Sequence, residues 1–497
     1  MSGTKIQNHQ KTRVLSQDDI LAIHQASLKV LKETGVVFKH ERALEILARA
    51  GAEVSGQRVR FPEDLVKKFI KMVQHQITLP ARNPQKDIHL GVGNVHYTNG
   101  YGAPHIRDLE TGQVRGAVLD DLAQFTRLSD YLDNVHYVLT QVTVQDLPPE
   151  VVDVFQVVEL LKNTEKHVGL SISDATYIDE IIQIGRLASG LGKNDNCRRA
   201  CFSLGAVSLS PLTFSPDGCH RLIRMAQQDV IIRISSLPVA GGTSPVTVAG
   251  TLVQAHAEVL AGICLVQAIN PGNLIIYGFM GAPMDMASGK QLSASPEAVL
   301  MNAAMAQICE YCQLPFGYGS GGLSNSSAFD EQNGFEKDNT ILFAALAGVD
   351  VIHHAAGGLQ GSGMVASFED MIIANEICRI VNRELRGIKV AEDTLAVDVI
   401  REVGPDGHFL NTDHTVAHFK NELFISNLLD TRTHEERLEG EPSLMLSKAK
   451  KMAKEVIETH WVPDFDAETT DAIERILEEV VNKSGVSISA RKFVKRS

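Results

Sequence analysis

Between Val135 and His354 the sequence alternates short β-rich runs with longer helical ones, and this rhythm restricts the chain more than any other feature. The strand-like runs are Val135–Val144, His167–Ile172, Ala200–Val207, Val230–Ser235, Asn273–Phe279, Leu314–Tyr318 and Val349–His354. Helical patterns near 150–162, 177–187, 216–227, 246–269, 296–311 and 332–346 separate them. Strands joined through helices need right-handed crossovers, so the sheet is expected to be parallel. Seven such units, with an eighth strand drawn from His408–Leu410 or from an earlier run, predict an α/β chain folded as a (β/α)8 TIM barrel. A doubly wound sheet would need a Gly-x-Gly-x-x-Gly turn early in the series, and none is present. The glycine run Gly357–Gly363 follows the seventh strand, lacks the lysine of a phosphate-binding P-loop and has a different spacing.

With 497 residues the chain has room for one large barrel with additions. Ser16 followed by Asp19 reads as a helix start, Gly35 and Gly51 as stops, and Pro62–Val73 as a third amphipathic stretch. The expected division is an N-terminal helical cap with β-hairpin additions over 1–130, the barrel over 131–425, and a C-terminal helical extension over 426–497.

Charge and composition narrow the function. A net charge of −13 with no basic block repels phosphate backbones, which argues against nucleic acid as a partner. Met1–Arg13 is polar and carries no secretion signal, so a cytoplasmic location is expected. The apolar stretch Val246–Ile269 contains Gln254, His256, Glu258 and Gln267, which a membrane span would rarely tolerate. Seven scattered cysteines do not form a disulfide framework. Cys309 and Cys312 make a lone CxxC on a helical pattern, and without a second pair at ligand spacing no bound metal is expected. Large barrels of this kind commonly associate symmetrically, so a homo-oligomer is expected.

Reactive groups in such barrels gather at the C-terminal ends of the strands. Only 5% of residues are aromatic, yet Tyr277, Phe279 and Tyr318 end strands, Phe368 opens a later helix, and Tyr97 and Tyr101 lie in what reads as a hairpin. Aromatic faces attract cations, most strongly desolvated quaternary ammonium groups, although a ring in a strand more commonly just fills core. His353 and His354 end the seventh strand. Strand alternation should turn one of them inward and the other toward the helices or loop. A buried histidine satisfied by a backbone carbonyl is the commoner case, and the alternative is that the inward one, beside the glycine run, anchors a substrate carboxylate or shapes a cavity. The small-residue segment Gly319–Gln332, which includes Asn325, reads either as a flexible loop ending in an Asp330 N-cap or as an open barrel mouth, with Gly321 and Gly322 leaving space for another large molecule.

Several runs resemble the MttB family of trimethylamine methyltransferases, in its large branch without pyrrolysine. They are Gly241–Leu252, Glu258–Gly262, Asn270–Gly272, Tyr277–Gly278, Asp285–Met286, Asp330–Lys337, Ala345–Gly348 and Phe409–Thr415, with Thr34–Val36 and Asp108–Arg115 upstream. The likeness extends from about residue 15 to 460. It implies a barrel that presents a methylated amine to a separate corrinoid protein, whose cobalamin accepts the methyl group at Co(I). In the pyrrolysine branch that residue precedes a Leu-Ser-Asp-Ser-type motif; here Gly322 precedes Leu323-Ser324-Asn325-Ser326. Glycine has no side chain with which to activate an amine. A quaternary ammonium already has a neutral amine as leaving group, so the departure points to quaternary substrates, foremost glycine betaine, with proline betaine, carnitine and γ-butyrobetaine as alternatives. The roles expected are an aromatic cage from Tyr97, Tyr101, Tyr277, Phe279, Tyr318 and Phe368, and carboxylate anchoring by His353 or His354. A non-catalytic betaine-binding barrel is one rival reading, and a different barrel enzyme that binds phosphate at the Gly357–Gly363 loop is another.

Overall fold

The computed structural model describes residues 4–6, 10–192, 195–438 and 444–488. Eight parallel strands make the barrel: β1 (Asn94–Tyr97), β2 (Tyr137–Leu139), β3 (His167–Leu170), β4 (Phe202–Val207), β5 (Ile231–Ser236), β6 (Ile275–Phe279), β7 (Phe316–Ser320) and β8 (Val351–His353), and the short strand Thr4–Lys5 adds antiparallel to β1. Each is followed by a helix: α1 (Leu119–Tyr131), α2 (Val152–Asn163), α3 (Ile178–Ala188), α4 (Pro216–Gln227), α5 (Val248–Ile269), α6 (Pro296–Tyr311), α7 (Glu331–Ala347) and α8 (Phe368–Leu385). β2 to β8 pair in parallel in chain order. β8 pairs in parallel with β1, and a parallel bridge from Thr98 to Tyr137 closes the ring onto β2. The chain is a (β/α)8 barrel with a helical N-terminal cap and C-terminal helices.

The eighth strand is thus the earlier run. Asn94–Tyr97 is not one arm of a hairpin with Tyr101, because its ladder partner is β8, more than 250 positions away. The hairpin in this region lies downstream, where His105–Arg107 pairs antiparallel with Val114–Gly116. The boundary at 130–131 therefore falls after the first barrel strand, and the last barrel helix ends at Leu385, well before 425. His408–Leu410 forms no strand, and Leu410 is 84% exposed.

Two devices close the barrel around its site. At the N-terminal end the hairpin Ile77–Leu79/Ile88–Leu90 packs into the lumen against Ile231, Leu274, Ile276 and Val351. Beside the β1 and β8 ends, Leu359–Gln360 and Val365–Ser367 join the His105 hairpin in a small sheet. The cap begins at a true capping box, Ser16 with Asp19, and its helices Gln17–Lys29, Glu41–Ala50 and Glu63–Ile70 pack on α5. α5 is long and apolar enough to cross a membrane, but most of it is buried in this protein, and its polar side chains have internal partners. The C-terminal helices Leu444–Thr459 and Ala467–Ser484 lie against α8 and α3.

Candidate active site

Parity along the strands decides which side chains reach the lumen. On β5, Ile232 and Ile234 face the helices, so Ile231, Arg233 and Ser235 face inward. Arg233 is 2% exposed, and among the described residues no carboxylate pairs with it. Its Nη2 donates to Ser171 Oγ at 2.5 Å, its guanidinium carbon lies 4.3 Å from the Tyr318 ring centroid, and its Nη1 has no partner. Gly205 on β4 makes room for it, since a Cβ there would sit 2.4 Å from Nη2. A guanidinium remains charged at any accessible pH, and a buried unpaired one is costly. The lumen is therefore built to receive an anion.

Around Arg233 lie His353, the last residue of β8, and His354, the first beyond it. The His353 ring centroid is 3.7 Å from that of Tyr318 and 3.9 Å from that of His354, and Tyr101 stands at 6.4 Å. Neither ring nitrogen of His353 has a partner, nor has His354 Nδ1 or the Ser235 hydroxyl. Burial pushes the imidazolium form of His353 well below its ordinary range, with His354 and Arg233 adding to the effect; burial and Arg233 bring His354 down to about 3. Both rings are neutral at physiological pH.

The expectation that one histidine would face away fails because β8 ends at His353. His354 has φ +71° and donates its backbone N–H to Thr98 Oγ1 at 3.0 Å, which turns the chain at the barrel mouth and sets its ring edge-on to His353. A left-handed histidine is a strained conformation of the kind that collects at functional sites.

The six candidate rings divide. Tyr318 and Tyr101 border the lumen. Tyr97 points outward and donates to Asn382 Oδ1 on α8 at 2.8 Å. Tyr277 points outward toward His256 on α5 and Met305 on α6, and Phe279, two residues on, shares its face. Phe368 stacks on Phe125 of α1 with centroids 3.8 Å apart. These four fill the layer between strands and helices, because barrel strands are buried on both faces and a ring is apolar enough for either. The lumen instead holds Tyr137, whose hydroxyl lies 2.6 Å from Ser203 Oγ.

The β7–α7 segment is tied down rather than open. Gly321 and Gly322 are buried; a Cβ on Gly321 would meet Ile352, and one on Gly322, at φ +74°, would lie 2.6 Å from the carbonyl oxygen of His354. Gly322 is thus the surface on which the His354 turn rests, and no side chain fits there in this conformation. Asn325 is held by Glu336 and Ser362, and Asp330 is the N-cap of α7. On the neighbouring side, Glu258 of α5 accepts from Ser208, Ser210, Ser236 and the Leu212 backbone N–H, which fixes the loop after β4 to the end of β5. Sequence reasoning missed Arg233 and Glu258. The signal for Arg233 was a lone charge inside the apolar run Val230–Ser235.

A family model described as trimethylamine methyltransferase (MTTB) matches residues 2–483. The chain belongs to the MttB family. It is a methyltransferase, similar to the glycine betaine methyltransferase of Desulfitobacterium hafniense strain Y51, with 35% identity over 86% of this chain and 88% of that one. It is also similar to the trimethylamine methyltransferase MttB of D. hafniense strain DCB-2, at 31% over 95% of each chain, and to that of Methanosarcina barkeri, at 29% over 96% of this chain and 97% of the other. Among solved structures, the M. barkeri monomethylamine methyltransferase MtmB matches this MttB-family chain with a TM-score of 0.51 at 12% identity, over 91% and 90% of the two chains. A hydroxylamine complex of MtmB gives 0.53, also at 12%, over 92% of this chain and 91% of that one. Both likenesses concern the fold.

Proposed function

We propose that this protein demethylates a small quaternary amine that carries a carboxylate, most fittingly glycine betaine, and passes the methyl group to the Co(I) corrinoid of a separate protein. The observation that carries this reading is the buried guanidinium of Arg233, with an unpaired Nη1 in a lumen that also holds the unpartnered nitrogens of His353. Trimethylamine has no group for such a charge to hold, whereas a betaine carboxylate would accept from Arg233 and from the neutral histidines. Tyr318 and Tyr101 would then face the ammonium end.

The acceptor supplies the nucleophile. The C–N bond breaks with its electron pair going to nitrogen, so glycine betaine leaves as neutral-amine dimethylglycine and no proton is required. That balance suits a site whose histidines are held neutral and where Gly322 offers no activating group. What the chain contributes is placement and exclusion of water, with the carboxylate fixed deep and a methyl directed to the mouth.

The rim of the C-terminal face fits a large, partly apolar acceptor. Val207 at the end of β4 and Leu209 beyond it, Leu237 and Val246 after β5, Met286 after β6 and Met364 after β8 all expose apolar side chains. The test is single-turnover transfer to Co(I) cobalamin from glycine betaine, proline betaine, carnitine, γ-butyrobetaine and trimethylamine. Methylated cobalamin is expected with a betaine, best with glycine betaine. Transfer from trimethylamine with none from any betaine would overturn the proposal.

A further inference from the structure

A second cluster of unusual side chains lies outside the lumen, where the cap meets the barrel wall. His24 comes from the cap helix Gln17–Lys29, His256 from α5, and Cys312 from the C-terminal end of α6. His24 Nδ1 is 3.0 Å from His256 Nε2, and Cys312 Sγ lies 3.6 Å from the first and 3.9 Å from the second. Zinc bonds of about 2.0–2.1 Å to nitrogen and about 2.3 Å to sulfur, set at tetrahedral angles, space two nitrogens by about 3.3 Å and nitrogen from sulfur by about 3.6 Å. All three separations in the protein agree with that triangle to within a few tenths of an ångström.

The surroundings agree as well. The other ring nitrogen of His256, Nδ1, lies 3.0 Å from the Tyr277 hydroxyl, an outer partner that fixes the ring as metal-ligating histidines require. Burial holds His24 and His256 in their neutral, lone-pair-bearing forms, and the nearby charges Glu63 and Lys67 neutralise each other as an ion pair. The Cys312 thiol, pushed up to about 12 by burial, would give its proton up on binding a cation. Cys312 is also the partly exposed member, which leaves a way in. Its CxxC partner Cys309 is buried and takes no part in the cluster.

We infer that His24, His256 and Cys312 form a divalent metal site of zinc type, with a fourth position for water, that fastens the N-terminal cap to helices α5 and α6. Neither the barrel reaction nor the corrinoid partner enters this inference.

The test uses full-length protein stripped with a chelator and then dialysed against zinc or cobalt(II). One zinc per chain is expected, with affinity at least about tenfold weaker in Cys312→Ser and in His24→Gln, and a melting temperature that rises on zinc addition in the wild type but in neither of these two variants. Cobalt(II) in the wild-type protein should give the intense visible bands of a tetrahedral site together with a thiolate charge-transfer band. That spectrum needs no variant, so it stands even if a substitution disturbs folding. A His414→Ala/His418→Ala variant, which removes a pair of neighbouring, half-buried rings elsewhere on the protein, should keep the full stoichiometry. Failure of the wild type to bind zinc or cobalt, equal binding in Cys312→Ser, or loss of the metal in the His414/His418 variant would overturn the assignment and leave the cluster as a hydrogen-bonded pair beside a thiol.

Discussion

Replacing Arg233 by methionine separates a substrate anchor from a structural residue, because the two roles predict opposite signs for stability. Methionine keeps most of the buried stem volume and discards the charge. What the folded protein loses is the hydrogen bond to Ser171 and the contact with the Tyr318 ring, about 1.5–3 and about 2 kcal/mol respectively. What it gains is relief of an unpaired N–H, about 1–3 kcal/mol, and of several kcal/mol spent in desolvating a guanidinium that no carboxylate compensates. The two sides nearly cancel, so the thermal midpoint of Arg233→Met should match or exceed that of the wild type. With substrate bound the sign reverses. Truncating one side of a buried, hydrogen-bonded charge pair costs about 2–5 kcal/mol, which at about 1.4 kcal/mol per factor of ten is roughly 30-fold to several thousandfold in kcat/KM. Most of it should appear in KM, since the carboxylate is held in the ground state as well as in the transition state. Choline, a quaternary ammonium without a carboxylate, provides the internal control: the preference for glycine betaine over choline should collapse in the variant. A variant several kcal/mol less stable, or one that keeps its kcat/KM for glycine betaine, would refute the reasoning.

Other expectations follow from the same site and its supports. His353→Ala should reduce transfer sharply with little change in melting, because neither ring nitrogen has a partner to lose; unchanged turnover would remove it from the site. With His353 and His354 both held neutral, the transfer step should show no histidine titration between about pH 5 and 8, and a sigmoidal loss of rate on acidification through that range would contradict it. Gly322→Ala should cost about 2 kcal/mol or more of stability, since the new Cβ meets the His354 carbonyl at φ +74°; a wild-type melting curve would count against the turn's dependence on that glycine. Asp350 accepts the Gly91 and Phe316 N–H groups at the barrel base, and burial pushes its carboxyl up to about 6. The folded state therefore favours the protonated form, a contribution present below about pH 4 and lost as pH rises through about 6. Between those values the melting temperature of the wild type should fall relative to that of Asp350→Asn, and parallel curves would refute the linkage.

The barrel was legible because its evidence is local: each βα unit writes its own periodicity. β1 was not, since Asn94–Tyr97 is four residues long and its ladder partner β8 lies far along the chain. Parity caused the errors among the rings. Alternation says that Tyr277 and Phe279 share a face, but in a strand buried on both sides it does not say which face is the lumen. Tyr97, Tyr277, Phe279 and Phe368 therefore looked equivalent to Tyr101 and Tyr318 until their partners on the surrounding helices were visible. His354 escaped the alternation rule altogether, because its left-handed backbone depends on contact with Thr98 and Gly322, which lie just past the ends of β1 and β7. Arg233 carried a signal, a charge in an apolar strand, whose meaning depended on there being no carboxylate paired with it among the described residues, and that is a property of the assembled lumen.

The central claim is that a betaine sits in the lumen with its carboxylate on Arg233, and a crystal structure of the protein with glycine betaine tests it most directly. The account predicts carboxylate oxygens within hydrogen-bonding distance of Arg233 Nη1 and of a His353 ring nitrogen, the ammonium against Tyr318 and Tyr101, and one methyl directed toward the C-terminal mouth. A ligand bound with its ammonium beside Arg233, or outside the lumen altogether, would contradict it.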